Sequence, residues 1–205
     1  MTTRKRGTRR AASTAMRWCC LAAAVLLAAP APAAQARPAR TRPSVLAAGK
    51  AAAGAGRTVV VPVRLRDSRG TPLGLERGPG NAIQAISLAV RCLPAEAVTE
   101  VRLRRAGATA KAEPLFEAAP RGGASGALVA SFDELRQPLA VGLYPSRGDL
   151  VAEIVVTLAP HVAPGTVVEL RLDPAVTTLS DQAGTVSETA GNGWLRLLDG
   201  RLEVE

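Results

Sequence analysis

Aromatic residues are scarce, 2% of the 205-residue chain: two Trp, one Tyr and two Phe. A platform that stacks sugar rings or bases needs several aromatic side chains in a row. So few of them argue against such a surface. His161 is the sole histidine. A Ser-His-Asp or Cys-His pair would have to use it, yet it stands in PHVAPG, which reads as a surface turn. No His/Cys cluster has the spacing of a zinc site. There is no G-x-S-x-G, since Gly123-Ala124-Ser125-Gly126 lacks the spacing and the strand-to-helix setting. Gly54-Ala55-Gly56 and Gly78-Pro79-Gly80 precede no helix that could receive a phosphate. Lysine is confined to Lys5, Lys50 and Lys111, so arginine carries most of the positive charge.

Long apolar runs are also absent. The longest, residues 21–29 (LAAAVLLAA), is well short of the roughly 20 residues that span a bilayer. It follows a basic segment, residues 1–18, and precedes PAPAAQA, which ends in Ala34-Gln35-Ala36. This three-part pattern is that of a secretory signal peptide. It predicts residues 1–36 as a leader, cleavage after Ala36, and export to the periplasm or the extracellular space. Cys19 and Cys20 lie ahead of the apolar run, which does not fit a lipidation site. Once they are removed, Cys92 has no partner, and a lone strand cysteine reads as a small buried hydrophobe.

The formal net charge of +9 belongs to the same region. Arg4, Lys5, Arg6, Arg9, Arg10 and Arg17 fall in the leader. Arg37, Arg40 and Arg42 fall in RPARTRP, residues 37–43, read as an extended linker. From residue 43 onward bases and acids balance. A nucleic-acid-binding domain would carry its basic excess on the folded part, so nucleic acid is not expected as a partner. Arg102, Arg104 and Arg105 form a local run that reads as a solvated strand face.

Residues 44–205 are predicted as one all-β domain, a single β-sandwich of about nine strands. The apolar period is two, not 3.6. Val59, Val61, Val63 and Leu65 alternate with Thr58, Val60, Pro62, Arg64 and Arg66. Ile86, Leu88 and Val90 share one face of a strand whose other face carries Ala85, Ser87, Ala89 and Arg91. Val101 and Leu103 oppose Arg102 and Arg104, and Leu128, Ala130 and Phe132 align. Residues 150–158 and 166–172 repeat the signal. Clusters of Gly, Pro, Asp and Ser separate the runs. Pro62 implies an edge or a bulge. Asp199-Gly200, inside WLRLLDGRLEV, reads as a hairpin turn.

The order of these features resembles the cohesin modules, β-sandwich domains akin in fold to carbohydrate-binding modules. The likeness rests on RTVVVPVRL (57–65), AIQAISLAVRCLPAEAVTEVRLRRAG (82–107), GDLVAEIVVTL (148–158) and the Gly-rich TTLSDQAGTVSETAGNGWLRLLDGRLEV (177–204). Pro94 matches the proline of the family's Tyr-Asp-Pro, whereas Cys92 and Leu93 replace the first two residues. The resemblance implies a secreted, non-catalytic protein-interaction module. Its partner would be a dockerin-type domain in an extracellular assembly linked to polysaccharide breakdown, with calcium carried by the partner. The implied docking strand carries Ala85, Ser87, Ala89 and Arg91. Ala85 and Ser87 stand where the family has polar anchors. Carbohydrate binding through Tyr144 and Trp194 is the alternative use of the scaffold, and a structural role in an envelope assembly is a further one. Asp67, Asp181 and Glu188 are expected as solvated turn acids, with calcium ligation the secondary reading.

Overall fold

The computed structural model describes residues 42–68, 71–73, 83–136, 138–139, 141 and 147–205. The predicted leader, its cleavage site at Ala36 and Tyr144 lie outside the described residues. Strands β1 (Ser44–Ala48), β2 (Lys50–Ala53), β3 (Thr58–Arg66), β4 (Ala85–Leu93), β5 (Val98–Arg105), β6 (Pro114–Ala118) and β7 (Ser125–Phe132) make up the first half. β8 (Asp149–Leu158), β9 (Val167–Leu172), β10 (Thr178–Ser180), β11 (Ser187–Thr189), β12 (Leu195–Leu198) and β13 (Gly200–Val204) complete the fold. Among the described residues the helices are one 3-10 turn, Ala95–Ala97, and one α-turn, α1 (Ala108–Lys111).

These strands form two sheets. One has five strands in the order β12-β1-β3-β8-β5. The other has eight, with a path β11-β10-β4-β9-β13-β2 and with β7 joining β4 to β6. The period-two residues make the core. Leu46, Val61, Val63, Leu65, Val101, Leu103, Ile154 and Val156 face inward from the first sheet. Ile86, Leu88, Val90, Leu128, Phe132, Leu170, Leu179 and Leu202 meet them from the second. Phe132, the largest wholly buried side chain among the described residues, fills the interior as its alternation predicts.

β3 is an interior strand, paired with β1 on one side and β8 on the other. Its proline is tolerated because β1 leaves the sheet beside it. The Pro62 carbonyl accepts the Gly49 N–H at 2.8 Å, and the register with β8 shifts just beyond, between Val63 and Arg64. So Pro62 sits at a local gap in the ladder, where a missing donor costs little.

Asp199-Gly200 is not a hairpin turn. β12 pairs in parallel with β1 in the five-stranded sheet, and β13 pairs in parallel with β2 in the eight-stranded sheet. Two of the passages between sheets take a single residue rather than a loop, Gly49 between β1 and β2 and Asp199 between β12 and β13, and Gly49 and Gly200 lie side by side there. The Gly49 carbonyl accepts the Arg201 N–H at 3.1 Å. A Cβ on Gly200 would lie 2.7 Å from the Gly49 oxygen, and one on Gly49 would lie 2.9 Å from Pro62 Cγ. Periodicity places a side chain in or out, but it does not say which sheet the next residue joins. At the far edge the sheets also converge. Val101 of β5 bridges to Gly122, and a Cβ on Gly126 of β7 would lie 3.0 Å from the Val101 oxygen and from Leu103 Cδ1.

Candidate functional site

The face built from β4 outward can be mapped from strand register. Partners in adjacent strands share a face. Ala85 lies opposite Ser131 of β7 and Ser180 of β10; Ser87 lies opposite Val129 and Thr178. Ala89 is opposite Ala127, and Arg91 is opposite Ser125 on one side and Arg171 of β9 on the other. The rows continue outward to Ser187 and Thr189 of β11, and to Phe116 and Ala118 of β6. The four residues expected on one strand face are thus together on the outside of the eight-stranded sheet. Around them extends an apron of Ala, Ser, Thr and Val without charge, edged on one side by the exposed Phe116. Such short side chains leave a sheet surface nearly flat, and a partner backbone can come close to it.

The apron ends in charge. Arg91 and Arg171 stand directly opposite in register, a repulsive cross-strand pair unless one is neutralised. Arg171 is neutralised by Glu169 of its own strand, Nη2 to Oε2 at 2.7 Å and Nε to Oε2 at 2.9 Å. Arg91 has no carboxylate partner among the described residues. It lines two shallow clefts, one with Arg121, Ser125 and Asp173, the other with Arg171, Asp173 and Asp199. Part of that acidic capacity is spent on the backbone. Asp173 Oδ1 accepts the Ala175 N–H, and Asp199 Oδ1 accepts the Leu172 N–H, each at 2.9 Å. A cation at the margin of a flat neutral surface can orient a docking partner as it approaches.

Phe116 and the whole of β6 escape the sequence reading. The residue opposite Ser131 is Phe116, and the next outward pair is Ala118 with Val129, but Leu115 is an extra residue in the ladder. This bulge breaks the alternation that would reveal the strand. Trp194 lies elsewhere. It is half-buried just before β12 in the five-stranded sheet, with its carbonyl accepting the Ser44 N–H at 3.0 Å.

The three acids expected in solvated turns, Asp67, Asp181 and Glu188, are buried, and Glu188 lies within β11. Asp67 is fully buried and accepts the Ser44 hydroxyl at 3.3 Å. Glu188 is fully buried and accepts the Leu73 N–H at 3.2 Å. Asp181 accepts the Thr185 hydroxyl and the Val186 N–H, closing the turn of residues 181–186. Burial alone would push the Asp181 carboxyl up, but hydrogen bonds from Thr185, Val186 and Gly184 outweigh it and hold the group below its ordinary value. These acids staple loops to the domain. No three His, Cys, Asp or Glu side chains gather into a metal-type cluster among the described residues. Cys92 faces the core from β4, and burial pushes its thiol up to about 12. His161 is exposed in the turn after β8.

No protein-family profile matches the chain, and no curated protein sequence does. Solved structures do match. The third cohesin of ScaC in complex with the ScaB dockerin, from Acetivibrio cellulolyticus, is 17% identical with a TM-score of 0.56, covering 78% of this chain and 98% of that one. CaCohA2 from Clostridium acetobutylicum is 15% identical with a TM-score of 0.54, covering 80% and 91%. A non-cellulosomal cohesin from the hyperthermophilic archaeon Archaeoglobus fulgidus is 12% identical with a TM-score of 0.50, covering 80% and 91%. The chain has a cohesin-like fold. At such identity the likeness is one of architecture, and function must be argued from the surfaces this cohesin-like domain presents.

Proposed function

We propose that the cohesin-like domain is an exported, non-catalytic module that docks another protein on the outward face of its eight-stranded sheet. Ala85, Ser87 and Ala89 form the centre and Arg91 the charged margin. The observation that carries this reading is the apron itself: contiguous, uncharged, short side chains across β7, β4, β10 and β11, edged by Phe116 of β6 and ending at an arginine without an ion pair among the described residues. A flat surface of this kind suits the side of a helix, with affinity coming from close-packed area and Arg91 fixing orientation. Dockerins are the partners named for the ScaC cohesin and for other similar structures, and a dockerin-type helix pair is the occupant proposed here.

The immobilised protein is to be exposed to a panel of purified dockerin modules, beginning with the ScaB dockerin, in calcium and again in EDTA. Capture in calcium is expected, with loss of about tenfold or more in affinity for Ser87→Arg, which plants a long charged side chain in the flat centre. Retention of every captured dockerin by both Ser87→Arg and Arg91→Glu would place docking on another surface.

A further inference from the structure

The opposite outer face, that of the five-stranded sheet, has a different character. Register places Arg196 of β12 and Arg66 of β3 on either side of Val45 of β1. One row along β3 is Arg64, and one row further Pro62 aligns with Glu153 of β8 and Arg104 of β5. In the following row Val60 aligns with Val155 and Arg102. Arg196, Arg66, Arg64, Arg104 and Arg102 thus make a diagonal stripe from one edge of the sheet to the other. The outward carboxylates on these strands are Glu153 and Glu100. Glu153 is spent on Arg104 at 2.6 Å. Arg64 donates Nη1 to the Gly148 carbonyl at 3.1 Å. Arg66, Arg102 and Arg196 have no ion pair among the described residues.

The stems of these arginines are part of the sheet surface. Val45 and Val155 point outward yet are only 8% and 4% exposed. Their neighbours in register are Arg66 and Arg196 for Val45, and Val60 and Arg102 for Val155. Aliphatic arginine stems at these register positions can cover the valines while their guanidinium heads stay in solvent. The domain balances its charge overall, so this stripe is a local concentration.

We infer that the stripe binds an acidic polysaccharide, one bearing uronate or sulfate groups. Guanidinium forks pair bidentately with carboxylate and sulfate oxygens. Arg196 and Arg66 are two strands apart, roughly 10 Å at ordinary strand spacing, about the length of a disaccharide. A linear stripe on a flat sheet matches an extended chain of evenly spaced charges. Sequence-specific recognition of duplex nucleic acid would call for an element that enters a groove, and the strands of this face offer none; non-specific binding to duplex phosphates is distinguished by titration with duplex DNA. A bilayer would call for a cluster of large apolar side chains to insert; among the described residues the exposed apolar ones on this face are Val60 and Leu198, at separate places. The inference does not depend on the dockerin reading, because it concerns the other sheet.

The chain, purified as the cell makes it, is to be titrated with heparin and polygalacturonate as defined probes, and separately with duplex DNA and phosphatidylglycerol vesicles. Binding to both glycans is expected, weakening with salt. Arg66→Gln/Arg102→Gln/Arg196→Gln and the corresponding triple Glu variant should each lower glycan affinity roughly tenfold or more with an unchanged melting temperature. Arg91→Glu, on the far sheet, should leave glycan affinity unaltered while testing the docking face. Undiminished glycan binding by the folded triple Gln variant overturns the assignment. So does equal loss in Arg91→Glu, or tighter binding of DNA or vesicles than of either glycan.

Discussion

Arg105 of β5 and Glu117 of β6 join the two sheets at their converging edge, with Nε donating to Oε2 at 2.8 Å. The same guanidinium donates Nη1 to the Thr109 and Ala112 carbonyls, at 2.7 and 2.9 Å, and so fastens α1 beneath the junction. Arg105 therefore does not belong with Arg102 and Arg104 on a solvated face. Its side chain is 21% exposed against 35% for Glu117. Arg105→Ala is expected to cost about 1–3 kcal/mol, because it leaves carbonyls unpaired. Glu117→Gln should cost under about 1 kcal/mol, as for a partly exposed pair. Urea unfolding of the two variants measures the difference, and equal losses would contradict the asymmetry.

The crossover at Gly200 and the open turn at Gly191 make another comparison. Gly200→Ala brings a Cβ against the Gly49 oxygen and the Ala48 Cβ, the latter at 2.8 Å, both parts of a rigid neighbour. A loss of about 1–3 kcal/mol is expected from such overpacking. Gly191→Ala, whose nearest contact is the Thr189 hydroxyl at 3.7 Å, should be almost silent. Thermal melts of both variants check the contrast.

Cys92 is buried with its thiol pushed up to about 12. The native protein at neutral pH should react with a thiol reagent only at the rate at which β4 opens, and at full speed in denaturant. Rapid labelling under native conditions would refute the placement.

Asp181 gives a pH signature. Its carboxyl titrates below its ordinary value of 3.8 because the hydrogen bonds from Thr185, Val186 and Gly184 outweigh the effect of burial. The unfolded chain therefore takes up this proton first as pH falls. The stabilisation is full above the ordinary carboxylate range and is lost as pH drops through the lowered native value. Asp181→Asn should be less stable than the parent at pH 7, with the gap narrowing toward pH 2 (about the acid limit of carboxylate titration). Chemical denaturation at a series of pH values reads this directly.

Much of the architecture is legible in the alternation of β3, β4, β5 and β7, because a residue pair such as Leu103 and Arg104 reports in or out wherever the strand lies. The face proposed for docking is legible for the same reason: Ala85, Ser87, Ala89 and Arg91 share parity. Three things are not. Sheet membership depends on crossovers at Gly49 and Gly200, where a tight approach replaces a turn, so Asp199-Gly200 looks like a hairpin. β6 hides because Leu115 adds one residue and resets the period before Phe116. Asp67 and Glu188 look like surface turn acids because their partners are distant in sequence, Ser44 for the one and Leu73 for the other; Asp181 does close a local turn, but a buried one. The arginine stripe is hidden in the same way. Arg66, Arg102 and Arg196 come from separate segments, and only the strand order aligns them.

The parallel pairing of β12 with β1 and of β13 with β2 also sets a timetable. The earliest described strands wait for the latest, since β1 and β2 each have a slot that only residues 195–204 can fill. A chain threading out from its amino end therefore holds both slots open until Val204 has emerged. Closure of the domain must follow delivery of the whole segment, and until then these unfilled edges need protection from other chains.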